Sequence, residues 1–184
     1  MNEYSQLDEL DDMVTCDDSF LRCQAAKAPL LPVPDMIKLG TGEDLHSQKA
    51  IAARPDLPQK AIRAIVRSDP TLEVASLALR GYKGRKLLRE VARSSNKYIR
   101  RLAATHPNTE EFVLRELSYD NYEDVRSAIT TREEIPISVQ RILARDPSVE
   151  VRKGLARHDE LFSSAYDILK EDIDYGVRNI LEEN

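Results

Sequence analysis

The sequence predicts an all-α protein, an α-solenoid in which short two-helix repeats stack on one another. Three observations predict it: apolar residues recur at helical spacing, no stretch alternates with the period of a strand, and related stretches return about every 26 residues. A pair of helices this short cannot bury its apolar face alone, so adjacent repeats must cover each other. The chain of 184 residues is 41% hydrophobic but only 5% aromatic, which predicts a mainly aliphatic core.

The N-terminal 36 residues differ in composition from the rest of the chain. They contain eight acidic and two basic residues. We therefore predict an acidic N-terminal extension over residues 1–36, either partly disordered or forming a short cap helix. The stretch APLLPVP, residues 28–34, predicts a linker or an extended segment. Residues 37–184 are the predicted repeat domain.

The repeat is most regular from Val66 onward. Copies begin at Val66, Val91, Leu117, Leu143 and Leu169, at intervals of 25, 26, 26 and 26 residues. Three positions after each start stand Asp69, Ser94, Asp120, Asp146 and Asp172. Nine positions after the last four starts stand Arg100, Arg126, Arg152 and Arg178. Columns that stay in step over five copies indicate internal duplication.

Each repeat is predicted to contain two helices. The first is short, for example residues 58–66, 110–117 and 136–143, and a proline often marks its start. The second is represented by residues 147–157, where Asp146 is the expected N-cap and Pro147 the expected first helical residue. Gly81 and Gly84 replace the proline turn of the other copies, which predicts a looser corner between two repeats.

The pattern of Asp, Val-Arg and Leu or Ala resembles the second helix of HEAT-type repeats. In those repeats an Asp near the helix start and an Arg six residues later form a ladder along the solenoid. The resemblance implies a structural ladder of three pairs: Asp120 with Arg126, Asp146 with Arg152, and Asp172 with Arg178. In the structural interpretation each guanidinium satisfies an Asp carboxylate and turn carbonyls in its own or a neighbouring repeat. The alternative interpretation of the arginine column is an anion-binding stripe.

The period of 26 residues and phrases such as LARDPSVEVRKGLA are most similar to the leucine-rich variant repeat, a bacterial relative of the HEAT repeat. The resemblance covers roughly residues 39–182 and implies the architecture rather than a function. Some members of that family carry a cysteine-ligated iron–sulfur cluster ahead of the repeats. Cys16 and Cys23 are too few thiolates for such a cluster, so we expect two free thiols and no cofactor.

No pattern in the sequence predicts catalysis or metal binding. There is no glycine-rich phosphate loop, no strand-framed serine and no pair of histidines on one helical turn, so we expect no catalytic residues and no enzyme. His106 and His158 occupy the same repeat position two repeats apart. Stacked helices would separate them by roughly 20 Å, which is too far for two ligands of one metal ion.

A basic segment suggests where a partner binds. Residues 54–101 contain thirteen basic and four acidic side chains in a protein whose net charge is −5. The residues predicted to form this basic patch are Lys83, Arg85, Lys86, Arg89, Arg93, Lys97 and Arg101, with Tyr82 and Tyr98 for stacking. The patch predicts contact with an acidic protein partner, and the sequence leaves an ordinary solvated face or docking of the chain's own acidic segment open as well.

Together these patterns predict a non-catalytic macromolecular binding module, a repeat scaffold that engages an acidic protein partner through its basic central surface. Nucleic-acid binding by the same patch is the first alternative, and inhibition through the acidic N-terminal segment is the second. The chain has no apolar run of the length that spans a membrane and no signal-peptide pattern, so we expect a cytoplasmic protein without a membrane partner. The oligomeric state is left open.

Overall fold

The computed structural model describes residues 3–68 and 70–183, with side chains from residue 8 onward. Over these residues the chain forms fourteen α-helices and no strands, which confirms the prediction of an all-α fold. The helices are α1 Glu3–Thr15, α2 Ser19–Lys27, α3 Val33–Thr41, α4 Leu45–Ala52, α5 Gln59–Arg67, α6 Leu72–Leu79, α7 Arg85–Val91, α8 Lys97–Thr105, α9 Glu111–Leu117, α10 Glu123–Ile129, α11 Ile137–Leu143, α12 Val149–Ala156, α13 Ser163–Leu169 and α14 Tyr175–Glu183. Each helix of the described residues is too short or too polar to cross a membrane.

The chain divides into two compact units, residues 1–82 and residues 83–184. The boundary suggested by composition, between residues 36 and 37, falls inside α3. In the first unit α1 contacts α2 and α3, α2 contacts α4, α3 contacts α5, and α4 contacts α6. The acidic N-terminal residues thus contribute to two helices, α1 and α2, that pack within this unit.

The second unit repeats one packing arrangement. Among even-numbered helices α8 contacts α10, α10 contacts α12 and α12 contacts α14, while among odd-numbered helices α9 contacts α11 and α11 contacts α13. Each of these helices also contacts its neighbour in the other set. Neighbouring contacts of this kind fit a stack of helix pairs with one set of helices on each side.

The core of the second unit lies between these two sets of helices. Buried residues recur every 26 positions on the odd-numbered helices, as in Leu87, Val113 and Val139. Gln140 takes the place of Leu88 and Leu114 in the next column and is fully buried. Its amide donates to the carbonyls of Ile135 and Glu160 and accepts the N–H of Phe162, so this polar group is satisfied and ties two turns together.

The helix starts differ in one respect from the prediction. Asp146 is not the N-cap of α12, because that helix begins at Val149 and its N-cap is Ser148, whose hydroxyl accepts the N–H of Glu150. Pro147 accordingly precedes the cap. The carboxylate of Asp146 instead accepts the N–H of Ser148 at 2.8 Å, which forms a tight turn ahead of the helix.

The corner predicted to be looser contains the one described glycine with a positive φ. Gly81 has a φ of 72°, a left-handed conformation that glycine adopts without a steric penalty. It follows the C-terminal end of α6, where a residue of this conformation commonly ends a helix.

Candidate binding surface

The predicted basic patch is divided among several elements. Arg85, Lys86 and Arg89 are on α7, Arg93 follows that helix, and Lys97, Tyr98 and Arg101 are on α8. Tyr82 is only 5% exposed, so its ring cannot stack on a ligand as the sequence suggested. Tyr98 is 48% exposed. The residues of the patch therefore lie on α7, on α8 and in the segments before and between these helices, where Lys83 and Arg93 are found.

Several cations of this patch form ion pairs with carboxylates of the following repeat. Arg89 binds Glu110 through two nitrogens, at 2.7 and 2.9 Å, and Arg85 lies 3.8 Å from the same carboxylate. The hydrogen bond from Arg89 lowers the pKa of Glu110. Arg93 binds Glu116 at 3.1 Å. The excess of basic residues counted in the sequence is therefore partly compensated within the fold.

Lys97 is also engaged inside the protein. Its ammonium donates to Asp124 at 2.8 Å and lies 5.1 Å from the ring centres of both Tyr98 and Tyr122. The hydrogen bond from Lys97 lowers the pKa of Asp124. Lys83, Lys86 and Arg101 are exposed and form no ion pair with the part of the chain that the structure describes. These three are the cations of the predicted patch that remain open to a partner.

The arginine column forms a ladder between successive repeats. Nε of each arginine lies 2.6 Å from the carboxylate of the aspartate twenty residues later, in the pairs Arg100–Asp120, Arg126–Asp146 and Arg152–Asp172. Nη2 binds the other carboxylate oxygen, so each contact is bidentate. The pairing differs from the one implied by the HEAT resemblance, in which the arginine and aspartate of one repeat were matched.

Within its own repeat each ladder arginine binds a backbone carbonyl instead. Nη1 of Arg126 donates to the carbonyl of Asp120, and Nη1 of Arg178 donates to the carbonyl of Asp172. Arg22 repeats the arrangement in the first unit, with Nη1 on the carbonyl of Cys16 and Nε 3.4 Å from Asp44. Each guanidinium thereby fixes a turn in one repeat and, where it has a carboxylate partner, joins that repeat to the next.

Burial and pKa shifts support a structural role for this ladder. The side chains of Arg126 and Asp146 are 11% and 2% exposed. The hydrogen bond to Asp146 raises the pKa of Arg126. Burial alone would raise the pKa of Asp120, but hydrogen bonds from Arg100 and the N–H of Tyr122 outweigh it and lower that pKa. The arginines and aspartates of the ladder are paired inside the protein, so they contribute little to the binding of a ligand.

A second set of contacts, not foreseen from the sequence, joins the ends of the even-numbered helices. Nη1 of Arg132 donates to the carbonyls of Ala104 and His106, at 3.0 and 2.7 Å. Nε2 of His158 lies 3.0 Å from the carbonyl of Arg132, one repeat later. Burial lowers the pKa of Arg132. His106 and His158 both lie in turns, where the ring of His158 contacts a carbonyl of the preceding repeat and Nδ1 of His106 accepts the N–H of Asn108.

The described residues contain no cluster of three or more His, Cys, Asp or Glu side chains arranged to hold a metal ion. Cys16 and Cys23 are free thiols, both partly buried. The Cys16 thiol contacts the carbonyl of Met13. In the acidic N-terminal segment, Asp8, Glu9, Asp11 and Asp12 are exposed on α1. Cys16 also lines an open pocket of the first unit together with Arg22, Lys38 and Asp44, and the Asp44 carboxylate there accepts hydrogen bonds from Ser19 and Ser47.

An open groove between α9 and α11 contains arginines that the sequence analysis did not single out. It is lined by Arg115, Tyr119, Ser138, Arg141, Ile142 and Arg145. The three arginines are exposed, and none forms an ion pair with a carboxylate of the described residues. Tyr119 is 71% exposed. Ser138 donates to Glu111 at 2.6 Å, which places one acidic side chain at the border of this arginine groove.

The repeat explains why these arginines pair with no carboxylate of the described residues; Arg145 donates instead to the carbonyl of Arg141. Arg89, Arg115 and Arg141 occupy one column at intervals of 26 residues. The partner of Arg89 is Glu110, and the counterparts of Glu110 in the next two repeats are Pro136 and Phe162. The arginine therefore recurs in all three repeats, whereas the glutamate that pairs with Arg89 does not.

The neighbouring column follows the same rule. Arg93, Tyr119 and Arg145 are equivalent, and Glu116, the partner of Arg93, is replaced by Ile142 in the next repeat. A comparison of ion-pair partners across repeats, rather than a count of charges along the chain, is the sequence signal that finds the arginine groove.

Comparison of the chain with protein-family models, with curated proteins and with solved structures found no match. The functional conclusion therefore depends on the geometry and charge of the surface.

Proposed function

We propose that the protein is a non-catalytic binding module, a solenoid of short HEAT-like repeats whose arginine groove engages an acidic segment of a partner protein. The observation that carries the proposal is the set Arg115, Arg141 and Arg145: three exposed guanidiniums in one open groove without carboxylate partners among the described residues. Guanidinium groups bind carboxylates in bidentate geometry, so an acidic segment supplies the missing partners. Lys83, Lys86 and Arg101 extend the available positive charge on the same unit.

The solenoid part of the proposal is supported by the two sets of packed helices and by the ladder that links successive repeats. Repeat stacks of this kind present an extended surface made of equivalent positions, which suits binding to an extended segment. No enzyme chemistry is proposed, since the arginine groove contains cations, one phenol and one hydroxyl but no group placed as a general base.

The charge balance favours a protein partner over a nucleic acid. Nucleic-acid-binding domains are usually basic as a whole, whereas this chain has a net charge of −5 and a sequence pI of about 5.3. The unit that contains the arginine groove has eighteen basic and nineteen acidic residues. A long polyanion would meet repulsion outside the arginine groove, while a short acidic segment would contact only the local cations.

Fluorescence anisotropy with a labelled twelve-residue Glu-rich peptide tests the proposal. Wild-type protein should bind it, and the double variant R115E/R141E should weaken binding at least tenfold while keeping the helical circular dichroism of the wild type. The control R157E/K170E makes the same change in charge at two exposed cations of the same unit that do not line the groove, and it should bind within about twofold of the wild type. Because Lys170 pairs with Asp167, the helical circular dichroism of this control is checked as well.

Two outcomes would contradict the proposal. One is equal loss of binding in both double variants, which would indicate an unspecific response to net charge. The other is tighter binding to a single-stranded DNA of twelve nucleotides, with log K falling linearly against log salt, which would favour the nucleic-acid alternative.

A further inference from the structure

The arginine groove has a regular spacing that a bound segment must match. Arg115 on α9 and Arg141 on α11 occupy equivalent repeat positions, and these two helices pack directly against each other. Packed helix axes are about 8–10 Å apart. The two guanidiniums therefore originate from points about one helix spacing apart, on the same exposed side of their helices.

The spacing selects one conformation of an extended acidic segment. In a polyproline II helix there are three residues per turn with a rise of about 3.1 Å per residue, so residues i and i+3 lie on the same side about 9 Å apart. In a β-strand the residues on one side are about 7 Å apart at i+2, and i+3 points to the opposite side. The helix spacing of the groove matches the polyproline II geometry.

We infer that the arginine groove recognises a protein segment in polyproline II conformation whose acidic residues recur at every third position. The inference rests on the proposed function and adds the register of the ligand. Arg115 and Arg141 each bind one carboxylate of this series. Tyr119 and Ile142 line the same groove and offer apolar surface to the residues between the acidic ones, for which proline is well suited.

Arg145 and Glu111 further restrict where acidic residues of the bound segment can lie. Arg145 lies one helical turn after Arg141, is the counterpart of Tyr119 in the next repeat, and adds positive charge near the second carboxylate. Glu111, bound to Ser138, stands at the border of the groove and disfavours a further acidic residue there. A long continuous run of acidic residues therefore fits less well than regularly spaced ones.

Three labelled peptides of identical length and composition test the register. Each has four Glu and eight Pro. In one the Glu recur at every third position, in the second they stand at every other position from the N-terminus, and in the third they form two adjacent pairs at positions 1–2 and 6–7, so that only the first contains Glu three positions apart. The peptide with Glu at every third position should bind wild-type protein about fivefold more tightly than either of the others, because only it places two carboxylates on Arg115 and Arg141 together. The variant Arg141→Gln removes one of the two cations and should reduce the preference to less than twofold.

The possible failures separate the inference from the proposed function. Equal binding of all three peptides, still abolished in R115E/R141E, would overturn the register and leave the acidic-segment function intact. Absence of binding to every peptide, or binding unaffected in R115E/R141E, would overturn both. A preference that persists in Arg141→Gln would also overturn the register, because the spacing would then not depend on the arginine pair.

Discussion

At the scale of single residues, the arginines of this protein have two roles that their burial and partners distinguish. Arg126 is largely buried and binds the carboxylate of Asp146 and the carbonyl of Asp120. Arg115 is exposed and lines an open groove without a carboxylate partner among the described residues. The first kind of arginine connects repeats, and the second kind is available for binding.

Substitution of one buried and one exposed arginine should show that the buried ion pair contributes more to the stability of the fold than the exposed one. Arg126→Ala leaves the Asp146 carboxylate, 2% exposed, without its guanidinium, and removal of one partner of a buried pair costs about 3–5 kcal/mol. Arg89→Ala breaks a pair in which the arginine is 46% exposed, so solvent screens the pair and its loss should change the free energy of unfolding far less. Urea denaturation at pH 7 measures both free energies of unfolding. Similar losses in the two variants would contradict a structural ladder.

Asp44 gives a second residue-scale prediction, through pH. Burial alone would raise its pKa, but hydrogen bonds from Ser47, Ser19 and the N–H of His46, together with Arg22, lower it from 3.8 to about 2. Because the pKa is lower in the folded state than in the unfolded state, the carboxylate stabilises the fold above pH about 4. This stabilisation is lost as the pH falls from about 4 to about 2.

The variant Asp44→Asn isolates this contribution. The free energy of unfolding of the wild type should exceed that of Asp44→Asn by about 1–2 kcal/mol at pH 7, and the difference should shrink as the pH is lowered from 5 to 2.5. The measurement is a series of urea titrations at these pH values. A difference that is independent of pH would show that the Asp44 charge is not the stabilising feature.

At the residue scale the sequence identified the arginines and aspartates of the ladder but not which arginine binds which aspartate. The HEAT resemblance matched Asp120 with Arg126, whereas the carboxylate of Asp120 binds Arg100. A column of equivalent residues cannot show whether a side chain reaches within its repeat or into the next one. The same limit explains why Arg115 and Arg141 were not singled out: their significance depends on Pro136 and Phe162, which replace the partner of Arg89.

At the scale of helices, the predicted boundaries lie close to the observed ones. The predicted segments 110–117 and 136–143 correspond to α9 Glu111–Leu117 and α11 Ile137–Leu143. The predicted segment 147–157 is longer than α12 Val149–Ala156, because Asp146 and Ser148 form a turn and a cap ahead of the helix. Proline and apolar spacing mark a helix well, whereas the start is ambiguous where two possible capping residues, Asp146 and Ser148, stand two positions apart.

The count of 25 residues between the first two copies also has a structural explanation. Ala61, Ile62, Ile65 and Val66 are the buried residues of α5, and their counterparts 26 residues later are Leu87, Leu88, Val91 and Ala92. In the second helices the buried Val74 and Ala78 correspond to Ile99 and Ala103, 25 residues later. One residue fewer therefore separates the buried residues of α7 from those of α8 than separates the buried residues of α5 from those of α6. The counterpart of Val66 is accordingly Ala92.

Close packing between α10 and α12 gives a prediction at this scale. A methyl group on Gly154 of α12 would lie 2.5 Å from Oγ1 and 3.2 Å from Cβ of Thr130, the C-cap of α10. Gly154→Ala should therefore lower the free energy of unfolding by about 1 kcal/mol, since the overlap outweighs the gain of about 1 kcal/mol in helix propensity.

The background Thr130→Ala provides the control. Thr130→Ala keeps Cβ, 3.2 Å from the added methyl group, but removes Oγ1 and Cγ2. In this background Gly154→Ala should be close to neutral or slightly stabilising, because most of the overlap is gone and the helix-propensity gain is retained. Thermal or urea denaturation of the four proteins gives this double-mutant cycle. An additive cycle, with the same effect of Gly154→Ala in both backgrounds, would contradict close packing of these two helices.

At the scale of the whole molecule, the fold class was predictable and the division into units was not. Helical periodicity and the 26-residue repeat are properties of the sequence that survive in the helices of both units. The composition of residues 1–36 suggested a separate extension, but α1 and α2 pack within the first unit as a helix pair, and Arg22 and Asp44 repeat the ladder contact there. Net charge reports the surface of a segment and says little about which helices pack together.

The number of charged residues in a segment does not show which of its cations are available to a partner. The segment richest in cations supplies Arg85, Arg89, Arg93 and Lys97 to carboxylates of the following repeat. The positive surface proposed for binding lies further along the chain, where basic and acidic residues are nearly balanced in number. Local pairing, rather than local composition, decides which charges reach a partner.

A charge-swap measurement tests the central claim most directly. Wild-type protein and R115E/R141E are titrated with two labelled peptides that differ only in having Glu or Lys at every third position between prolines. The wild type should bind the Glu peptide and not the Lys peptide, and R115E/R141E should reverse this preference while remaining folded. Binding of the Glu peptide by R115E/R141E with the affinity of the wild type would contradict an acidic-segment site in the arginine groove.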